Sequence, residues 1–166
     1  MRKELSNLDG ADYDFTIIGT GPAGTTLAIN LAKNGKKVLL LEAGGYDYTS
    51  ESQGIYEGTI EGPYPNISSE TRLRFFGGTS GHWGGWCRPL DKIDFKNYPI
   101  SKSDLDPYLS AASDILEIKG DFNRDIPFNN DFNQIQFQFS PPVRFGLKYR
   151  EYIEKSSLID LVLNAY

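Results

Sequence analysis

An α/β fold on a parallel sheet is what the sequence predicts, and three observations predict it. Two short apolar, β-branched runs, Asp12 to Gly19 and Lys37 to Glu42, flank a stretch of helical spacing. Strand, helix and strand thus follow one another within about thirty residues, the spacing of a βαβ unit. The first strand passes into the helix through the glycine turn Gly19-Thr20-Gly21-Pro22-Ala23-Gly24. Hydrophobic residues at 39% and aromatics at 13%, against 23% charged, suffice for a buried core and exclude wholesale disorder or a fibre.

Each element has its own signal. Phe15-Thr16-Ile17-Ile18 is short, apolar and ends on glycine, as a buried parallel strand does. From Pro22 to Asn34, Ala23, Leu27, Ala28 and Leu31 recur at helical spacing, with Pro22 suited to the first helical position and Gly35 to the place just past the end. Lys37 to Glu42 reads as a second buried strand. Between Lys37 and Arg72 lie six acidic residues and no basic one, broken by glycine and proline, which predicts a long surface excursion. Five glycines then crowd the nine residues from Gly77 to Gly85. Asp106 and Pro107 predict a helix with Tyr108, Leu109, Ala112, Ile115 and Leu116 on one face, stopping at Gly120. Asp121 to Asp131 reads as loop, and the alternation in Ile135 to Phe139 predicts a strand with one buried face, ended by Pro141-Pro142. A short helix from about Leu147 to Lys155 and a strand-like run from Leu158 to Leu163 close the chain.

Composition narrows the function. Seventeen Lys and Arg against 22 Asp and Glu leave a formal charge of −5, so no nucleic acid partner is expected. A single cysteine, Cys87, and a single histidine, His82, exclude a disulfide framework and a multi-ligand zinc site, and Cys87 reads as core filler rather than a nucleophile. No metal set is expected. The N-terminus has no apolar signal segment and the longest apolar runs reach about four residues, so no membrane span is expected and a cytoplasmic location is.

The first glycine turn carries chemistry. Gly19 allows the tight turn, Gly21 lets the backbone approach a pyrophosphate, and Gly24 lets the helix pack on the sheet, while the helix N-terminus at Pro22 and Ala23 faces the phosphates. Eighteen residues after Gly24, Glu42 ends the second strand, where a carboxylate binds ribose hydroxyls and repels a 2′-phosphate. That favours FAD or NAD over NADP. The plainer readings are ordinary turn glycines and a surface charge at a strand end. Pro22-Ala23 together with Glu42-Ala43-Gly44-Gly45 resembles flavoprotein openings, which favours FAD.

The second motif runs Arg74-Phe75-Phe76-Gly77-Gly78-Thr79-Ser80-Gly81-His82-Trp83-Gly84-Gly85-Trp86. Small residues with free N–H groups can wrap a planar or anionic ligand, the hydroxyls of Thr79 and Ser80 can bond its polar atoms, and the aromatic residues suit a wall against a flat ring. Arg72 and Arg74 suit either phosphates or the acidic excursion. Asp12 to Gly45 and Phe76 to Phe95 together resemble the glucose-methanol-choline (GMC) flavoprotein oxidoreductases, including their Arg88-Pro89-Leu90-Asp91 and Asp94-Phe95 continuation.

The resemblance implies an incomplete Rossmann-like FAD-binding domain over residues 1–119, and over 120–166 the beginning of an α+β substrate or cap domain with a return strand. It implies an FAD held by Gly19, Gly21, Pro22, Ala23, Gly24 and Glu42, and by Gly78, Thr79, Ser80, His82, Trp83 and Gly84 of a segment that lies against the flavin. It implies oxidation of CH–OH groups of small alcohols or sugars by hydride transfer to flavin, with electrons passed to oxygen, a quinone or an electron-acceptor protein. His82 stands where pyranose-oxidising relatives attach the flavin covalently; the plainer reading is a hydrogen bond to neighbouring backbone. The family's histidine base belongs to a later portion, so no catalytic residue is assigned here. The chain is expected to be catalytically incomplete alone. A non-catalytic FAD-binding fragment or subunit, completed by a separate chain or by the missing C-terminal portion, is the alternative; a complete NAD-dependent dehydrogenase is disfavoured by the second motif.

Overall fold

The computed structural model describes residues 2–4, 8, 12–59, 61–62, 71–120, 122, 126–127, 129 and 132–166. In chain order the elements are β1 (Arg2–Lys3), β2 (Phe15–Ile18), α1 (Pro22–Lys33), β3 (Val38–Leu41), α2 (Ser50–Gly54), β4 (Trp86–Cys87), α3 (Lys102–Leu105), α4 (Leu109–Ile115), β5 (Ile126–Pro127), β6 (Asn133–Gln134), β7 (Gln138–Phe139), α5 (Phe145–Lys155) and β8 (Ile159–Val162). Contacts divide them into two compact units, residues 1–82 with 144–166, and residues 83–143. The sequence-level boundary at 119/120 coincides with neither crossing and falls inside the second unit.

In the first unit a four-stranded, all-parallel sheet has the order β1-β8-β3-β2. The two central strands are buried on both faces, with Val38, Leu40, Ile159 and Leu161 at zero exposure on one and Leu39, Asp160 and Val162 buried on the other, which is why neither strand alternates apolar with polar residues throughout. Each such apolar side chain contributes roughly 1.5–3 kcal/mol by leaving water. Helices α1 and α5 pack on this sheet and on each other, sealing a core that includes Ile17, Ala28, Phe76 and Ile153.

The helix α1 starts at Pro22 as expected. It ends in a Schellman motif: Gly35 N–H donates to Ala32 O (2.9 Å) and Lys36 N–H to Leu31 O (3.0 Å), with Gly35 at φ +76°. Its buried face is Thr25, Ala28, Ile29 and Ala32, with Leu27 exposed, so the stripe is rotated from the one read off the leucines. Ala28, Ile29 and Ala32 join the core on that face, and at Gly24 the helix lies against Gly19 and Ile17. β8 was legible; β1, which pairs with it through Arg2 and Lys3, was not.

The second unit departs further from expectation. The helix predicted from Asp106 is a 3₁₀ turn (Asp106–Tyr108) followed by α4, and it ends before Gly120. A second Schellman motif stops it, with Ile118 N–H donating to Ser113 O and Glu117 N–H to Asp114 O, and Glu117 in the left-handed region at φ +57°. Ile126–Pro127 pairs with Asn133–Gln134, so part of the expected loop is a hairpin; 121, 123–125, 128, 130 and 131 lie outside the described residues. The strand predicted over Ile135 to Phe139 is only Gln138–Phe139, paired antiparallel with β4. Its expected apolar face is not buried: Ile135, Phe137 and Phe139 are exposed, and Trp86 packs edge-on against Phe137 and Phe139 instead.

Candidate functional site

The C-terminal ends of β2 and β3 carry the first glycine turn and Glu42. Gly19 N–H donates to Leu41 O (2.7 Å), extending the ladder to the last residue before the turn, and Gly19 then leaves the strand at φ +96°. Gly24 is held by packing: a Cβ there would stand 2.0 Å from Gly19 O. Gly21 is the opposite case, with nothing within 4 Å of the position its Cβ would take. Thr25 N–H donates to Gly21 O and closes the first helical turn. Pro22 has no N–H at the next position, so the donors of the first turn without an intrahelical acceptor are Ala23 N–H and Gly24 N–H. No acidic side chain occupies that turn. The result is an open backbone face with two converging donors at a positive helix end.

Glu42 is 6% exposed and accepts three hydrogen bonds from protein. Its Oε2 takes Thr20 N–H (2.9 Å) and the Thr20 hydroxyl (2.5 Å), and its Oε1 takes Gly44 N–H (3.0 Å). The sequence assigns this carboxylate to a ribose; in the structure it also ties the Gly19–Gly24 turn to its own strand end through Thr20 and Gly44. Of about four acceptor positions, one remains, on Oε1. Thr20 was not singled out from the sequence. It is fully buried; its hydroxyl also accepts from Gly77 N–H (3.0 Å), and its carbonyl accepts from the Thr25 hydroxyl (2.7 Å).

Through that bond the second motif meets the first. Gly77 (φ +91°) leads into a 3₁₀ turn over Gly78–Gly81, and the Cβ position of Gly78 lies 3.4 Å from Gly21 Cα. Gly77 crosses Gly146 at the start of α5 so closely that a Cβ on either would stand 2.3 Å from backbone of the other's segment. Gly44 likewise lies against Arg74, where a Cβ would stand 2.2 Å from the Arg74 carbonyl oxygen. These crossings give Gly44 and Gly77 a packing reason that the motifs did not, and account for Gly146, which no motif contains.

The hydroxyls assigned to the ligand have other partners. Ser80 is buried; its Oγ donates to Gly77 O (2.7 Å) and accepts from Phe145 N–H (3.0 Å), so it braces the turn. Thr79 is exposed, and its Oγ1 accepts from Leu73 N–H (3.3 Å). His82 is exposed at the end of the turn, with its N–H donating to Thr79 O (3.2 Å). Trp83 and Gly84 belong to the second unit, where Trp83 Nε1–H donates to Val143 O (2.9 Å). Arg74 is buried, its Nη1 donating to the Ser52 carbonyl (3.3 Å) and hydroxyl (2.8 Å). Its guanidinium lies over the Tyr166 ring, 4.6 Å from the centroid. Beside the 3₁₀ turn a cavity of about 240 Å³ is bounded by Phe75 and Ser80 of the second motif and by Tyr46, Arg144 and Leu147, to which the motifs did not point.

Cys87 is half-buried in the second unit, with Sγ 3.4 Å from Gly85 O. Burial pushes its thiol up from the ordinary value, against a smaller opposing bond with the Ser140 backbone. Its alkylation by iodoacetamide is therefore expected to run slower than that of a free cysteine at neutral pH. The gap should narrow as pH rises, because the free thiol saturates first. A rate by mass spectrometry equal to that of free cysteine would contradict this burial.

Strand, glycine turn, open helix N-terminus and strand-end carboxylate define a Rossmann-like dinucleotide-binding domain, and residues 17–55 match the family model described as an NAD(P)-binding Rossmann-like domain. The chain is 59% identical over 39 residues to an oxygen-dependent choline dehydrogenase of Pseudomonas savastanoi pv. phaseolicola, and 58% identical over 38 residues to one of Xanthomonas campestris pv. campestris. It is 28% identical over 106 residues to the Arabidopsis thaliana protein named "Probable sarcosine oxidase". The choline dehydrogenase matches cover 23% and 22% of this chain and 7% of each relative, and the third covers 60% of this chain and 23% of that protein. The choline dehydrogenase matches agree with the glucose-methanol-choline resemblance drawn from the motifs. Among the described residues no helix is long and apolar enough to cross a membrane, and no group of three or more His, Cys, Asp or Glu could hold a metal ion.

Proposed function

We propose that this chain is the FAD-binding portion of a GMC-type oxidoreductase that oxidises CH–OH groups of small alcohols or sugars. The observation that carries the reading is the meeting of the two glycine motifs, with Gly78 against Gly21 and Gly77 bonded to Thr20. The residues present fit a dinucleotide. Ala23 and Gly24 offer N–H groups to a pyrophosphate, Gly21 leaves space for it, and Glu42 Oε1 keeps one acceptor for a ribose hydroxyl. The Glu42 charge disfavours a 2′-phosphate and so NADP. When bound, FAD supplies a hydride acceptor. The contribution of this chain's own residues is to bind and orient it, and no side chain here is assigned as the base.

His82 is the proposed point of covalent attachment, its exposure leaving the imidazole accessible. Thr79, Trp83 and Gly84 are proposed to line the flavin, and Ser80 to act through the turn it braces. A cytoplasmic location, and an electron-acceptor protein or a missing C-terminal portion as partner, belong to the same proposal. The alternative is a non-catalytic FAD-binding fragment or subunit completed by a separate chain. It is favoured by β2, an edge strand whose Ile18 is 86% exposed where parallel sheets are normally covered.

Flavin absorbance of the purified chain tests the reading. A retained yellow colour is expected, and a protein that stays colourless after incubation with FAD contradicts it. Flavin left in the pellet after acid precipitation is the expected sign of attachment at His82; complete release into the supernatant sinks that assignment.

A further inference from the structure

We propose that Thr20 is a positioning residue that joins the two glycine loops into one binding element, fixing Glu42 and the Gly77–Gly81 turn relative to each other. The inference rests on the FAD reading only for what the element holds. A threonine hydroxyl has one proton. Here that proton goes to Glu42 Oε2, so the contact with Gly77 runs the other way, from Gly77 N–H to Thr20 Oγ1. The chain Gly77 N–H to Thr20 O–H to Glu42 carboxylate therefore has a single direction.

It is also closed to water. Thr20 is fully buried, and Glu42, Gly77 and Ser80 around it are buried as well. Thr20 is held at its backbone as well, its N–H donating to Glu42 and its carbonyl accepting from the Thr25 hydroxyl. A movement of Glu42 on taking up a ribose would draw on the hydroxyl that holds Gly77. Gly77 in turn is locked against Gly146 and sets Gly78 beside Gly21. The loop that carries the ribose carboxylate and the loop proposed to line the flavin thus respond together. A hydrophobic residue of the same shape at position 20 would preserve packing and cut the link.

The test compares Thr20→Val, Thr20→Ser and Glu42→Gln in the full chain. Amide exchange at Gly77 is read by NMR, and FAD affinity by quenching of flavin fluorescence. Thr20→Val is expected to speed exchange at Gly77 and to weaken FAD binding, each by roughly ten-fold. Thr20→Ser keeps the hydroxyl and is expected to restore both to within about two-fold. Because the residues act through one chain of bonds, Thr20→Val combined with Glu42→Gln should lose less FAD affinity than the two single losses sum to; additive losses would mean that the two residues act separately. Unchanged exchange in Thr20→Val, failure of Thr20→Ser to restore it, or additivity overturns the proposal. If Thr20→Val does not fold, an unprotected Gly77 amide in Thr20→Ser overturns it equally. Wild-type chain that binds no FAD would sink the flavin reading alone, while the exchange comparison still decides the role of Thr20.

Discussion

Alanine at Gly24 is expected to disrupt the first unit, whereas alanine at Gly21 is expected to leave it folded and unable to hold a dinucleotide. The new Cβ at Gly24 would stand 2.0 Å from the Gly19 carbonyl oxygen and 3.3 Å from Ile17 Cγ2. Ordinary contact requires α1 to retreat by more than about 1 Å, away from the sheet it seals. Backbone cannot rotate aside as a side chain can, so the cost belongs at or above the top of the overpacking range, about 3 kcal/mol or more. At Gly21 the added methyl meets nothing within 4 Å and φ is −62°, so stability should stay within about 0.5 kcal/mol of wild type. It would, however, occupy the open face proposed for the pyrophosphate, and FAD affinity should fall by at least about ten-fold. Urea unfolding followed by far-UV circular dichroism, with a flavin titration of each variant, checks the pair. A Gly24→Ala chain as stable as wild type contradicts the packing, and a Gly21→Ala chain that binds FAD normally contradicts the phosphate site.

Removal of the Glu42 side chain has the second largest expected effect, and it acts on folding before it acts on ligand. Glu42→Ala leaves the Thr20 N–H, the Thr20 hydroxyl and the Gly44 N–H without their acceptor in a buried place. An unsatisfied buried donor costs about 1–3 kcal/mol, and water entering the space left by the side chain recovers part of that. A net loss on the order of 3 kcal/mol is expected. Glu42→Gln should lose less, since the amide oxygen still accepts while its NH₂ group faces a donor. A denaturation midpoint for Glu42→Ala equal to wild type would show that this carboxylate does not tie the turn to the strand end.

The βαβ core was legible because its signals are local. Glycine at a strand end, proline at the first helical position and Gly35 at the stop each have one conformational reason, β3 announces itself as a continuous apolar run, and β8 as an apolar run broken only by Asp160. The alternation at Ile135 to Phe139 misled, because a two-residue pairing with β4 leaves those side chains exposed rather than sealed under a layer. β1 has no pattern to read, since two residues carry no period. Thr20 was hidden inside a motif whose glycines drew the attention, and its role depends on Gly77, 57 residues away in sequence. Gly146 left one faint signal, a lone glycine in the first turn of an otherwise ordinary helix, and its reason is the backbone of Phe76 and Gly77 against it. Local grammar thus placed the two glycine loops, while the bonds that fix them against each other are long-range and leave no spacing in the sequence.

Calorimetric titration of the chain, prepared free of flavin, with FAD and with NADP in parallel tests the dinucleotide site most directly. Saturable one-to-one binding of FAD that is abolished by Gly21→Ala, with NADP binding far more weakly, is the predicted result. Absence of FAD binding by a folded chain, or a preference for NADP in spite of Glu42, would contradict it.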